Sequence, residues 1–261
     1  MAKGVSAKFT SYSDTIPRLL KVIKFDQEIK NHNLIVLKPF ARDKLSPTTS
    51  PAFLEQVLRF CLENKSPDAK VIIAEGSDGI DTLEFFSELG YKKLAERYNI
   101  GVVDLNNSEL EETRSPYFTK FEEVHFPKIL KEGYVISLPP LSEDRELGAI
   151  TAISNMVGAF SSKKYKGFFS KNKNKIRQWP IAYSVNDISL CKMPDFALID
   201  ASQKGFLIAG KALDADKEAS KLVSKDGKGL VFLKIVEETQ KKLALDAATK
   251  EYSSEETPQS Q

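Results

Sequence analysis

Residues 34–79 read LIVLKPFARDKLSPTTSPAFLEQVLRFCLENKSPDAKVIIAEGSDG, and this stretch decides the fold. Leu34-Ile35-Val36-Leu37-Lys38 is a short run of branched apolar residues, the pattern of a strand buried on both faces. Pro39, Pro47, Thr48 and Thr49 then make a loop. Ser50-Pro51 supplies a helix N-cap and a proline at the first helical position. Phe53, Leu54, Val57, Leu58, Cys61 and Leu62 recur at helical spacing, and the helix must stop before Pro67. Val71-Ile72-Ile73-Ala74 repeats the buried strand and runs into the turn-rich Glu75-Gly76-Ser77-Asp78-Gly79.

The same alternation continues outward. Asp78 or Asp81 can cap a helix carrying Leu83, Phe86 and Leu89, which Gly90 ends. A short helix over Leu94–Tyr98 leads to a strand at Ile100-Gly101-Val102-Val103. Further strands are expected at 134–138, 196–199 and 206–209, with a helix over about 148–160 and a last helix over about 230–247. Strands alternating with helices predict an α/β fold, a largely parallel β-sheet flanked by helices. The expected organisation is an extension over residues 1–33 packing on the domain, one α/β domain over 34–247, and a disordered tail over 248–261 rich in Ser, Glu and Gln. The charged stretch 108–131, broken by Pro116 and Pro127, is the least regular part and suits a lid or an insertion.

The chain has 261 residues, 41% apolar and 28% charged, which is enough to bury a large core. Its 38 basic and 36 acidic residues give a formal charge of +2, so no global field favours nucleic acid or a membrane. No stretch approaches the roughly 18 apolar residues of a membrane span, and residues 1–10 carry no apolar signal core. The expectation is a cytoplasmic protein with no membrane partner. The two cysteines, Cys61 and Cys191, cannot form a four-thiolate cluster, and Cys61 falls on the apolar face of its helix. His32 and His125 lack partners at ligand spacing and read as surface residues, so no metal site is expected.

In parallel α/β sheets, ligands bind outside the carboxyl ends of the strands. Lys38, Glu75, Ser77, Asp104 and Asp200 fall at or just after such ends, and Asn155 lies shortly after the fourth strand. Thr49 and Ser50 open a helix whose free N–H groups suit an anion, or serve simply as its cap. Lys38, Thr49, Ser50, Glu75, Ser77, Asn155 and Asp200 are therefore the candidate ligand-binding residues. Lys38 and the N–H groups near Ser50 would hold the anion, and Glu75 or Asp200 would bind a cation or act as acid or base. The loop after Val71–Ala74 matches neither GxxxxGK[ST] nor GxGxxG. Ser161 to Arg177 carries Lys163, Lys164, Lys166, Lys171, Lys173 and Lys175 with Tyr165, Phe168 and Phe169 interleaved, a pattern of solvated loops that also suits single-stranded nucleic acid. With so small a total charge, nucleic acid is the disfavoured partner.

These motifs together resemble the domain of unknown function 362 family. Leu37-Lys38-Pro39-Phe40 is similar to its VKPNL strand end, Thr49-Ser50-Pro51 to its TSP helix start, and Ala74-Glu75-Gly76-Ser77 to its GEGS turn. Leu89-Gly90-Tyr91 resembles LGY, and Ile199-Asp200 resembles IVDG. The resemblance spans about residues 34–223 and is strongest up to Leu105. The family's NVPKLKTH segment corresponds to Ser137–Asp144, which has neither of its lysines nor its histidine. Its KN pair reads Ser154-Asn155, and its late DP reads Asp214-Ala215-Asp216 without the proline. Relatives often carry ferredoxin-like iron–sulfur modules. The resemblance identifies this chain as a divergent member without that module, with no intrinsic iron–sulfur cluster. The resulting expectation is a small anionic or metal-linked ligand at the strand carboxyl ends, with catalysis left open. The alternative is a degenerate, non-catalytic interaction protein with a protein partner.

Overall fold

The structure is a computed structural model that describes residues 3–178, 180–223 and 230–255, with side chains to Thr249. Its strands are β1 (Val5–Lys8), β2 (Leu34–Pro39), β3 (Lys70–Glu75), β4 (Gly101–Asp104), β5 (Leu110–Thr113), β6 (Val124–Pro127), β7 (Tyr134–Leu138), β8 (Ser142–Asp144), β9 (Gly148–Ile150), β10 (Phe196–Ala201) and β11 (Phe206–Gly210). Seven of them form one sheet in the order β1-β11-β10-β7-β2-β3-β4. The five strands from β10 to β4 run parallel. β11 and β1 close the other edge antiparallel. The α/β class with a largely parallel sheet is thus what the molecule has.

The apolar runs of β2 and β3 point alternately to two cores, as the twofold side-chain period of a strand requires. Ile35, Leu37, Val71 and Ile73 face the helices Tyr12–Val22 and Pro51–Asn64. Val36, Ile72 and Ala74 face Phe160, Ile188, Ala215 and Phe232. Cys61 is buried in the first core. Ser50 caps the Pro51–Asn64 helix, its Oγ accepting the Phe53 N–H at 3.1 Å. Asp81, not Asp78, caps the helix Thr82–Glu88, its Oδ1 accepting the Glu84 N–H at 2.8 Å.

Several elements differ from the sequence expectation. The first 33 residues reach into the sheet itself: β1 pairs with β11, with Val5 opposite Ala209. The helix expected over 148–160 is instead β9, paired with β8, followed by a buried 3₁₀ segment Ser154–Ala159. Its apolar residues are buried on every side rather than along one stripe, so helical spacing was a poor guide. The stretch 108–131 holds the β5–β6 ribbon, with Val124 and Phe126 fully buried. The last helix, Val231–Glu255, runs into the segment expected as a tail, and residues 256–261 lie outside the described ones. His32 and His125 are half-buried rather than on the surface, and His32 stacks on Tyr134 at 3.9 Å. Among the described residues, no helix is long and apolar enough to cross a membrane.

Candidate functional site

β2 lies between β3 and β7, and the chain order runs away from it in both directions. This is the topological switch point of the sheet, where the loops diverge and leave a crevice at the carboxyl ends. The register puts Lys38 opposite Ser137 on one side of β2 and Glu75 opposite Asp104 on the far side of β3.

Lys38 is fully buried. Its Nζ donates to Glu75 Oε2 at 2.9 Å, to the Asn155 main-chain oxygen at 2.6 Å and to Asn155 Oδ1 at 3.0 Å, using all three ammonium hydrogens. Asn155 Nδ2 donates in turn to the Lys38 carbonyl at 3.1 Å and to Ser137 Oγ at 3.0 Å. The 3₁₀ segment therefore straps across the β2–β7 switch point. The second oxygen of Glu75 accepts the Gly76 N–H at 2.7 Å. Gly158 packs directly on this carboxylate, and a Cβ there would collide with Glu75 Oε1. Burial pulls the Lys38 ammonium below its ordinary pKa, against the raising influence of Glu75.

A second buried cation comes from the basic loop. Lys173 is 1% exposed, and its Nζ donates to the carbonyls of Gly76 at 2.7 Å and Gly158 at 3.1 Å. Its own N–H is taken by Asp78 Oδ1 at 2.6 Å. Burial lowers its pKa to about 8, with Glu75 and Asp78 opposing the shift and Lys38 adding to it. Beside the cluster lies a small, partly open space of about 10 Å³, lined by Phe40, Glu75, Asn155, Gly158, Lys173 and others. That is close to the least volume that holds one water.

Arg42, Asp78 and Arg177 line both this space and an open groove of about 430 Å³ above it. Here two guanidinium groups meet four carboxylates. Arg42 meets Asp144 at 2.9 Å and Asp43 at 3.0 Å; Arg177 meets Asp78 at 2.6 Å and Glu146 at 2.7 Å. Loop 161–177 thus covers the crevice, anchored by Lys173 and Arg177.

The seven sequence candidates do not share one pocket. Lys38, Glu75 and Asn155 meet. Thr49 and Ser77 are buried staples of the loop between β2 and the Pro51–Asn64 helix: Thr49 Oγ1 accepts the Phe40 N–H at 2.8 Å and donates to the Leu138 carbonyl at 2.5 Å, and Ser77 Oγ donates to the Ala41 carbonyl at 2.7 Å. Ser50 is spent on its cap. Asp200 belongs to a separate group, where it accepts the Tyr12 hydroxyl at 2.6 Å and the Ser202 N–H at 3.0 Å. Asp104 accepts from Asn106 and Asn107. Among the described residues, no three His, Cys, Asp or Glu side chains are placed to hold a metal ion.

A family model described as domain of unknown function (DUF362) matches residues 34–215. The chain belongs to the DUF362 family. That match contains β2, β3, β7 and β10, hence every group of the cluster, including Lys173. No curated protein matches this DUF362 chain. A crystal structure of a Thermotoga maritima protein, a structural-genomics target, is 12% identical with a TM-score of 0.46. The alignment covers 85% of this chain and 60% of that one, so this chain spans less than two thirds of its neighbour. In this DUF362 member the stretch Ser137–Asp144, which resembles the family's Lys- and His-bearing motif, is tied back by main-chain bonds of Leu141 to Asp200 at 2.8 Å and Asp200 to Pro139 at 2.9 Å.

Sequence reasoning missed Lys173 as a site residue, although it noted the lysine run. In a run of six lysines nothing in the spacing distinguishes the buried one. It also missed Arg42 and Gly158, whose parts follow from loop packing alone.

Proposed function

We propose that this chain binds a small anion, an oxyanion or a carboxylate, at the Lys38–Glu75–Lys173 cluster. The observation that carries this reading is the charge count: two buried ammonium groups face one buried carboxylate. The nearest other carboxylate, Asp78, is engaged by Arg177 and by the Lys173 N–H. Within the cluster itself, two ammonium groups to one carboxylate leave a charge that an anion can neutralise at the switch point. The ligand enters from the groove as residues 172–177 lift, and Lys173 exchanges two neutral carbonyl acceptors for a charge-assisted bond. A metal-linked ligand is the weaker form, because Glu75, Asp104 and Asp200 are engaged by separate partners. No reaction is assigned.

The test is thermal unfolding with orthophosphate, pyrophosphate, malonate and Mg²⁺ alone, since a ligand of the native state raises the transition temperature. A rise with at least one anion, lost in Lys173→Met, is expected. No rise with any of them contradicts the proposal.

A second reading, a non-catalytic interaction protein, is favoured by a different observation. Lys38, Glu75 and Asn155 satisfy one another, and the space beside them is only about 10 Å³. In that reading the cluster serves to pin loop 161–177, and no small anion shifts the unfolding temperature.

A further inference from the structure

The tip of loop 161–177 has no part in the buried cluster. Phe168 and Phe169 are 94% and 96% exposed and touch each other edge to face, with ring centroids 4.7 Å apart. Large aromatic side chains that project this far into water are unusual unless something covers them. Residues 161–177 contain no Asp or Glu. Lys163, Lys164, Lys166, Lys171 and Lys175 are all exposed, and none of the five forms an ion pair among the described residues. The base of the loop is tied to the domain by Lys173 and Arg177.

We propose that this loop docks on an anionic membrane surface, with Phe168 and Phe169 inserted at the boundary of headgroups and acyl chains and the five lysines on lipid phosphates. The occupant follows from the chemistry of the tip. A paired aromatic wedge in a segment whose five exposed lysines form no ion pair among the described residues has the composition of an interfacial anchor. Lysine gives point charges suited to a diffuse anionic layer. A nucleic-acid platform instead presents a ring face backed by the protein for a base to stack on, and here each ring is packed against the other with little behind it. The absence of a spanning helix does not bear on such a contact, which replaces the expectation of no membrane partner by a peripheral one. The proposal is independent of the anion site.

The experiment is co-sedimentation of the full chain with phosphatidylcholine vesicles, with and without about 30% phosphatidylserine, for the wild type and the F168S/F169S double variant. Expected is binding to the anionic vesicles only, weakened at least about tenfold in the variant and reduced by salt. Three results would overturn the proposal: no binding of the wild type to anionic vesicles, equal binding by the variant, or Phe168-dependent binding of a labelled oligonucleotide without vesicle binding. The thermal transition of the variant, expected unchanged, separates a lost contact from a lost fold.

Discussion

Two places in this molecule bury charge, and they do so differently. At the switch point Lys38, Glu75 and Lys173 are held by a mixture of ion pair and dipoles, with two ammonium groups to one carboxylate, Asp78 beside Lys173 and a small space next to them. On the same face of the sheet, Asp216 is also fully buried and forms no ion pair among the described residues. It is surrounded by neutral donors: the Thr151 hydroxyl at 2.7 Å and the N–H groups of Ala152 at 2.8 Å and Ile153 at 3.0 Å. Asp216 caps the turn that opens the 3₁₀ segment. Burial of a charge is therefore not by itself the mark of a site. Buried charges of both signs next to space are a better one, and a carboxylate saturated by neutral donors reads as architecture.

The comparison breaks most readily at Glu75. Glu75→Gln leaves two buried ammonium groups without an anion and should lower stability by about 3–5 kcal/mol in denaturant unfolding. A loss below about 1 kcal/mol would mean the lysines are neutral or hydrated. Asp216→Asn replaces an acceptor by a group that turns a donor toward the same N–H groups, and should cost about 1.5–3 kcal/mol.

The two pockets should also respond to pH with opposite signs. Burial raises the Asp216 carboxyl to about 7 despite its three donors, so the folded state binds the proton more tightly than the unfolded chain. Stability from this group is present at low pH and is lost as pH rises through the folded value. The stability gap between wild type and Asp216→Asn should narrow from pH 4.5 to 7.5. Lys173 is shifted down, to about 8, so the unfolded chain holds its proton more tightly. Wild type should gain stability relative to Lys173→Met as pH rises from about 8 toward 10. Parallel slopes would remove the distinction. The smallest effect belongs to F168S/F169S, expected within about 0.5 kcal/mol of wild type because both rings lie in solvent.

Strand ends are readable from sequence; loop contacts are not. The central strands were legible because runs such as Leu34–Leu37 and Val71–Ala74 are short, branched and bounded by turns. Lys38 and Glu75 were legible for the same reason: a polar residue ending a buried strand must emerge at the carboxyl edge. Thr49 and Ser77 lie at the right place, but their hydroxyls satisfy main-chain groups, a use that composition does not reveal. Asp200 ends the right strand yet sits two strands from β2, where Tyr12 takes it up. Lys173 was hidden because it reaches the pocket through a long-range loop contact, with Gly76 nearly a hundred residues away in sequence.

The most direct test of the central claim is a calorimetric titration of the full chain with orthophosphate, run on wild type, Lys173→Met and Asp216→Asn at pH 7. The expected result is saturable binding by wild type, a loss of at least about tenfold in Lys173→Met, as removal of one charge-assisted bond implies, and affinity near that of wild type in Asp216→Asn. Absence of binding by the folded wild type up to millimolar phosphate, or an affinity unchanged by Lys173→Met, would contradict it.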